Sequence, residues 1–228
     1  MLLDHFAAII LGRYMELHGY KKIFLYITAW PELLGHINNP VTAVYVVLRL
    51  IGRISFPIYC FLLAEGFWHT RDVRKYALRL LVFAVISEIP YDAAVFNTYF
   101  DFRQQNIFFD LFLGLCMLIC LKKAGNHRAS LQIYIILIFC CIASLCHAGY
   151  NIIGILFIAS IYLIYDKNRI MGILAGSTVQ VYCITAPFSF LFIQKYNGQR
   201  GLSLKYLFYI IYPVHLVIFY FIAKSISY

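Results

Sequence analysis

Charged residues are scarce in this sequence of 228 amino acids, and their scarcity argues against a soluble fold. Lys, Arg, Asp and Glu together make up 13% of the chain, whereas a soluble domain typically carries about 25%. Hydrophobic residues make up 63%, and the mean hydropathy is +0.79. The composition therefore predicts an integral membrane protein in which one transmembrane domain occupies residues 1–228.

The motifs of common soluble enzymes are also absent. The sequence has no GxGxxG, P-loop or GxSxG pattern, so nucleotide-binding and hydrolase chemistry of those kinds has no support. The seven cysteines lie almost wholly in apolar runs and match no zinc spacing, so we expect packing residues and no metal site. The net charge of +9 is explained by topogenic charge and anionic lipid headgroups, and we expect no nucleic-acid partner.

Apolar runs recur along the whole chain, and most approach the roughly 20 residues that a membrane-spanning helix needs. They predict an all-α, polytopic helix bundle with about eight transmembrane helices. The weaker run at 23–35, broken by Pro31, is typical of an interfacial or re-entrant piece. The opening lacks a basic region, so we expect no cleavable signal peptide. The runs fall at 2–17, 41–68, 78–97, 106–121, 130–147, 151–165, 170–193 and 206–223.

The basic residues between these runs predict an orientation. With alternating spans, the turns around 71–79, 122–128 and 167–169 share one side and hold nine Lys and Arg residues. The opposite loops hold six, of which three lie in the short loop at 195–205. Because positive charge concentrates in cytoplasmic loops, the 71–79 turn is predicted to be cytoplasmic. The basic loop at 195–205 then breaks the charge rule, which favours a specific local role for it.

Asp4 and His5 form the first constellation of ionisable residues, at the start of the first run. A histidine titrates near neutral pH and a neighbouring carboxylate can raise its basicity, so the pair is suited to general-base catalysis. An interfacial pair that anchors the helix end is the alternative.

The second constellation lies in and beside the run 41–68. Arg49 and Arg53 are four residues apart, which puts both guanidinium groups on one helix face, where they could bind phosphate or carboxylate. Alternatively, Arg49 extends to an interface while Arg53 pairs with a carboxylate. Glu65 and His69 have the same spacing and could share a proton. They lead into the basic turn that begins at Arg71.

The third constellation ends the run that begins near Arg79. Glu88 and Asp92 lie one turn apart around Pro90, so they could serve acid–base chemistry or neutralise buried arginines, and we favour the structural role. Asn106 and Asp110 begin the next run with polar groups that could reach the same cavity.

The fourth constellation lies near the C-terminus. Asn197 and Arg200 each precede a glycine, a pairing that forms turns. Tyr212, Pro213 and His215 then fall inside an apolar run, where a histidine is either a satisfied core residue or part of a site.

In this order, the blocks resemble the TraX family along most of the chain. The family's namesake is a membrane protein that acetylates the N-terminus of F-type pilin, the subunit of a conjugation pilus. The matching pieces are Asp4-His5, Arg49, Gly52-Arg53, Phe56-Pro57, Glu65-Gly66-Phe67, His69-Thr70, Tyr76, Arg79-Leu80, Ser87-Glu88-Ile89-Pro90-Tyr91-Asp92, Gln105-Asn106, Tyr196-Asn197-Gly198, Arg200-Gly201, Phe208-Tyr209, Tyr212-Pro213 and His215-Leu216.

The resemblance implies an acyltransferase of the inner membrane, distantly similar to membrane enzymes that O-acetylate surface sugars. It implies transfer of an acetyl group from acetyl-CoA, as co-substrate, to an amine or hydroxyl on a peptide or glycan. His5 would be the base and Asp4 would orient it, while arginines would bind the donor phosphate or the oxyanion. No tightly bound cofactor is expected, and the bilayer is the other partner. A transporter or channel and a non-catalytic scaffold for pilus or envelope assembly are the competing classes.

The predicted orientation can be tested with Asp72→Cys in a background without native cysteines. The cysteine should be shielded from membrane-impermeant thiol reagents in intact cells, because positive charge retains the 71–79 turn in the cytoplasm. Ready labelling from outside would reverse the predicted orientation.

Overall fold

The computed structural model describes residues 1–20, 39–125, 128–165, 185, 188–199 and 205–226, and each regular element in these ranges is helical. The predicted interfacial run at 23–35, most of the run 170–193, and Arg200 lie outside the described residues. The elements are α1 (Leu2–His5), a π-helical segment (Phe6–Leu11), α2 (Gly12–Leu17), α3 (Pro40–Arg53), α4 (Ser55–His69), α5 (Val73–Phe96), α6 (Ile107–Ala124), α7 (Ala129–Leu145), α8 (Asn151–Ser160), a second π-helical segment (Ile161–Tyr165), α9 (Ser189–Gln194) and α10 (Lys205–Ile226).

Two helical stretches among the described residues are long and apolar enough to cross a membrane. The first is the consecutive pair α3–α4, Pro40–His69, with 30 residues and a mean hydropathy of 1.8. The second is Tyr206–Ile226 in α10, with 21 residues and a mean hydropathy of 1.9. The all-α class and a membrane protein are therefore supported, whereas the bundle of about eight spans is not confirmed.

Polar side chains mark where several helices begin. The Asn39 side chain accepts the Val41 N–H at 2.9 Å, and Pro40 has the backbone angle that a first helical turn requires. The Asn106 side chain accepts the Phe108 N–H at 3.0 Å at the start of α6. The Asp72 carboxylate accepts the Lys75 N–H at 3.0 Å, and this hydrogen bond holds the pKa of Asp72 below its usual value. The turns between the apolar runs therefore serve as helix caps.

The described chain forms two compact units. Unit 1 comprises Met1–Phe56, Ile89–Phe100 and Val181–Tyr228, and unit 2 comprises Pro57–Glu88 and Asp101–Gln180. The single domain over 1–228 stays a prediction.

Unit 2 packs α6 closely against α8. Gly114 on α6 lies against Ile158, and a side chain at this position would overlap Ile158. Leu115, Leu118 and Phe157 are fully buried around this contact. Cys60, Cys116, Cys120, Cys140, Cys141 and Cys146 are free thiols within the described part of the chain.

Unit 1 packs the first helical stretch, residues 2–17, between α3 and α10. Ala7 and Met15 form a buried cluster with Tyr45 and Val46 of α3. Asp4 lies beside Arg49 and Gly52, so the first stretch and α3 run antiparallel. The short N-terminal helices therefore pack along much of α3.

The first stretch and α10 run parallel. The His5 ring stacks on the His215 ring, and the Phe6 ring lies 6.0 Å from the Phe219 ring. Further along both helices, Arg13 and Lys224 line one cavity. Eight alternating spans would make the first and last helices antiparallel, so this packing is inconsistent with that alternation.

The direction of α10 changes the expected placement of the basic loop at 195–205. The last residues of α5 and of α10 line the same cavity in unit 1, so both helices end at the same membrane face. Tyr206–Ile226 is long and apolar enough to cross a membrane, so α10 is expected to begin at the opposite face, where the antiparallel α3 ends. The run 41–68, predicted as one span, leads from α3 to the 71–79 turn, so the 195–205 loop is predicted on the side of that turn. The basic asymmetry becomes twelve to three, and the breach of the charge rule disappears.

This placement predicts the labelling of Gln199→Cys, at an exposed position. In the cysteine-free background, the cysteine at position 199 should be shielded from external reagents, as the cysteine of Asp72→Cys is expected to be. Because Asp72 caps α5, Arg71→Cys provides a reference that retains the cap. Thr98→Cys, an exposed position after the end of α5, should label from outside. Labelling of Gln199→Cys in the pattern of Thr98→Cys would instead support eight alternating spans.

Candidate functional site

Two histidines that are distant in sequence form the centre of the candidate site in unit 1. His5 Nδ1 lies 2.6 Å from His215 Nε2, a hydrogen-bonding distance. The rings stack with centroids 4.9 Å apart and planes inclined by 9°. Tyr212 is buried and meets both rings edge-on, with centroids 5.7 Å from His5 and 5.5 Å from His215. The sequence-predicted residues His5, Tyr212 and His215 are therefore brought together.

The partners of this pair assign its protons. His215 Nδ1 lies 2.7 Å from the Ile211 carbonyl oxygen, which can only accept, so Nδ1 donates. In a neutral imidazole the other nitrogen is then an acceptor, and His215 Nε2 accepts from His5 Nδ1–H. The same rule leaves Nε2 of His5 unprotonated. The pair therefore leaves Nε2 as the unprotonated nitrogen of His5.

The helix widens directly after His5. Residues Phe6–Leu11 form a π-helical turn, and His5 is its N-cap. Such turns are rare and are found frequently at functional sites. The extra width changes the angle at which His5 projects relative to the residues of α2.

Asp4 forms an ion pair with Arg49. The prediction that Asp4 orients His5 therefore differs from the observed contact. Arg49 Nη1 lies 2.8 Å from Asp4 Oδ1 and donates to the Asp4 carbonyl at 3.4 Å. Both side chains are largely buried, with 17% and 15% exposed. The structure therefore assigns the orienting contact of His5 to His215.

Gly52 allows this ion pair to form. A side chain at position 52 would overlap the backbone and Cβ of Asp4. Because glycine has no side chain, α1 packs directly against α3 at Gly52. Arg49, three residues earlier on α3, then reaches the Asp4 carboxylate. Arg53 ends α3 and is half-buried. Thus Asp4, Arg49 and His5 meet in unit 1, and Arg53 lies one turn beyond Arg49.

Glu88 and Asn106 form a second polar group, within unit 2. The Asn106 side-chain amide donates to Glu88 Oε2 in a short hydrogen bond and to the Ala84 carbonyl at 2.8 Å. The Asn106 backbone N–H also donates to Glu88 at 3.3 Å. Since Asn106 caps α6 as well, these contacts favour the structural role that the sequence suggested for Glu88. Asp92 lies one turn further along α5 and is also buried.

Asp110 begins the run 106–121 together with Asn106, and the sequence suggested that both polar groups could reach the cavity of Glu88 and Asp92. The structure buries Asp110 one turn after Asn106, and its Oδ1 accepts the Tyr150 N–H at 3.0 Å. A side chain on Gly149 would crowd Asp110 Oδ2. The carboxylate therefore supports the turn before α8.

The remaining predicted site residues occupy exposed or partly exposed positions. His69 is 71% exposed, and its Nδ1 lies 2.9 Å from the Glu65 carbonyl and 3.5 Å from the Glu65 carboxylate. Arg71 is exposed, and the Arg79 guanidinium lies 5.8 Å from the Tyr76 ring centre. Asn197 accepts the Gln199 N–H at 3.0 Å in an exposed turn. Their predicted binding roles stay predictions, and Arg200 lies outside the described residues.

Comparisons with known proteins agree with the resemblance in the sequence. The family model described as TraX protein matches residues 1–223. The chain is 30% identical over 199 residues to a probable fimbrial assembly protein FimC, serogroup H1, of Dichelobacter nodosus. That alignment covers 76% of this chain and 82% of the relative. No solved structure matches the chain.

The Asp4–Arg49 pair predicts a non-additive effect on stability. Arg49→Met leaves a buried carboxylate without its ionic partner and should cost about 3–5 kcal/mol. Adding Asp4→Asn removes that charge and should restore part of the loss. Thermal unfolding of the purified variants in detergent measures both effects. Equal destabilisation of the single and double variants would contradict a buried ion pair.

Proposed function

Because the chain belongs to the TraX family, we propose that it is a membrane acyltransferase of pilus or envelope assembly. It transfers an acetyl group from acetyl-CoA to an amine or hydroxyl on a peptide or glycan. The observation that carries this proposal is the ordered His5–His215 pair, whose proton arrangement leaves Nε2 of His5 as a base.

His5 Nε2 is assigned the proton transfer. It removes a proton from the acceptor amine or hydroxyl, which attacks the carbonyl carbon of the acetyl thioester. A C–N or C–O bond forms, the C–S bond breaks, and the CoA thiolate recovers the proton from His5. His215 keeps the His5 ring in one orientation, and its own Nδ1–H is held by the Ile211 carbonyl.

The arginines of α3 are assigned complementary roles. Arg49 fixes the Asp4 end of α1 through the ion pair and so positions His5. Arg53 is half-buried one turn later, where a guanidinium can bind an oxyanion through two hydrogen bonds. We assign it to the anionic part of the donor or to the oxyanion of the reaction.

The protein is proposed to be a multi-pass protein of the inner membrane. The apolar stretches Pro40–His69 and Tyr206–Ile226 support membrane insertion. Positive charge on the side of the 71–79 turn supports a cytoplasmic position for that turn. Acetyl-CoA would then be available on the side that the charge rule makes cytoplasmic.

A non-catalytic role in pilus assembly is the second candidate. The relative in Dichelobacter nodosus is named a probable fimbrial assembly protein, which favours this role without specifying a reaction. In that case the histidines and the Asp4–Arg49 pair would serve only helix packing. A transporter remains the third class, because ionisable groups in apolar helices also line ion pathways.

An assay with labelled acetyl-CoA and membrane extract as acceptor tests the proposal. His5→Ala should lower acetyl transfer by about 10²–10⁴-fold, the usual contribution of a general base. His215→Ala should cause a smaller loss, because His5 keeps its basic nitrogen but loses its orienting partner. His147→Asn is the control, since His147 is exposed and its positive φ of 52° suits asparagine.

The outcomes separate the three classes. Failure of wild-type protein to label any peptide or glycan acceptor would favour assembly or transport. Equal product from the wild type and His5→Ala would retain acyl transfer and remove His5 as its base. Unfolding temperatures of the variants distinguish lost chemistry from lost structure.

A further inference from the structure

A cavity of about 510 Å³ lies within unit 1. It is lined by the ends of α2, α5 and α10, and Ala8 and Ile9 contribute to its wall. These two residues follow His5 by one turn. The cavity therefore extends along the helix that carries the proposed base.

The polar residues of this cavity lie further along the helices. Arg13 follows His5 by eight residues and Lys224 follows His215 by nine, which corresponds to on the order of 10 Å along each helix. Glu16, Asn97 and Tyr220 also line the cavity. A molecule that occupies it would thus have one end one helical turn beyond His5 and the other near two cationic side chains.

The charges favour an anionic group at that second end. Arg13 pairs with Glu16 at 3.4 Å, but both side chains are more than two-fifths exposed, and such ion pairs contribute little to stability. Arg13 can therefore exchange Glu16 for another anion. The Lys224 ammonium lies 5.8 Å from the Tyr220 ring centre, which leaves its hydrogen-bonding capacity available for an oxyanion.

We propose that Arg13 and Lys224 bind a phosphate or carboxylate group of the acyl acceptor, on the order of 10 Å from the amine or hydroxyl that receives the acyl group. The proposal rests on the function proposed above for His5. It defines the acceptor as an anionic molecule.

Anion binding can be measured without any acyl transfer. The probe is inorganic pyrophosphate, titrated by calorimetry into the purified full chain in an uncharged detergent. Arg13→Gln and Lys224→Gln should each weaken binding by about tenfold or more, the effect of losing a charge-assisted hydrogen bond. Glu16→Gln should strengthen binding, because it removes the competing carboxylate.

Matched controls come from cations elsewhere in the chain. Arg103 pairs with Asp101 on the surface, as Arg13 pairs with Glu16, and Arg103→Gln should not change the affinity. Lys195→Gln is the control for Lys224→Gln. Equal affinity of the wild type and the Arg13→Gln/Lys224→Gln double variant would overturn the proposal.

The lipid environment separates a substrate site from a headgroup site. Nanodiscs of phosphatidylcholine should retain pyrophosphate binding, and discs containing phosphatidylglycerol should retain it with modest competition. Complete loss in the second discs, restored by neutral lipid, would assign the site to a lipid phosphate and overturn the acceptor assignment.

Failure of this proposal and failure of the proposed function give different results. Acetyl transfer that depends on His5, without pyrophosphate binding, would remove the anion site alone. Pyrophosphate binding that depends on Arg13 and Lys224, without acetyl transfer by the wild type, would remove the acyltransferase and with it the acceptor assignment.

Discussion

The close contact of α1 with Gly52 determines the geometry of the candidate site. Because Gly52 has no side chain, the Asp4 backbone lies against α3 and the Asp4 carboxylate comes within reach of Arg49. The next residue, His5, projects about 100° further around the helix and meets α10. One glycine therefore positions the ion pair, and the ion pair positions His5. Any larger residue at 52 would separate α1 from α3 and move His5 from His215.

The sequence predicted the helical class, and several residues that it singled out lie together in unit 1, but it did not predict their partners. Apolar runs identified the helices, and isolated ionisable residues identified Asp4, His5, Arg49 and His215. The adjacency of Asp4 and His5 suggested that they act together, but consecutive helical residues point in different directions. His215, the actual partner of His5, is 210 residues away, and only the packing of α1 against α10 reveals it. The assumption of eight alternating spans was equally unreliable, because the sequence alone does not show that the first and last helices run parallel.

The two groups of buried polar residues differ in how their hydrogen bonds are arranged. In unit 2, Glu88 accepts both N–H groups of Asn106, and Asn106 in turn caps α6, so the group holds two segments together. In unit 1, the donors run in one direction, from His5 to His215 and from His215 to the Ile211 carbonyl. This order ends in a basic nitrogen on His5. The contrast explains why the carboxylate group is structural while the histidine pair is the candidate for chemistry.

The π-helical turn after His5 acts as a one-residue insertion in a helix that would otherwise be regular. Deleting one residue from Phe6–Leu11 would let this segment close into an ordinary α-helix. Every residue before the deletion would then rotate by about 100° relative to α2. His5 would turn away from α10 and Asp4 away from Gly52, while Met15 would remain packed on Tyr45. The angular register of the end that carries Asp4 and His5 is thus set independently of the end that anchors the helix.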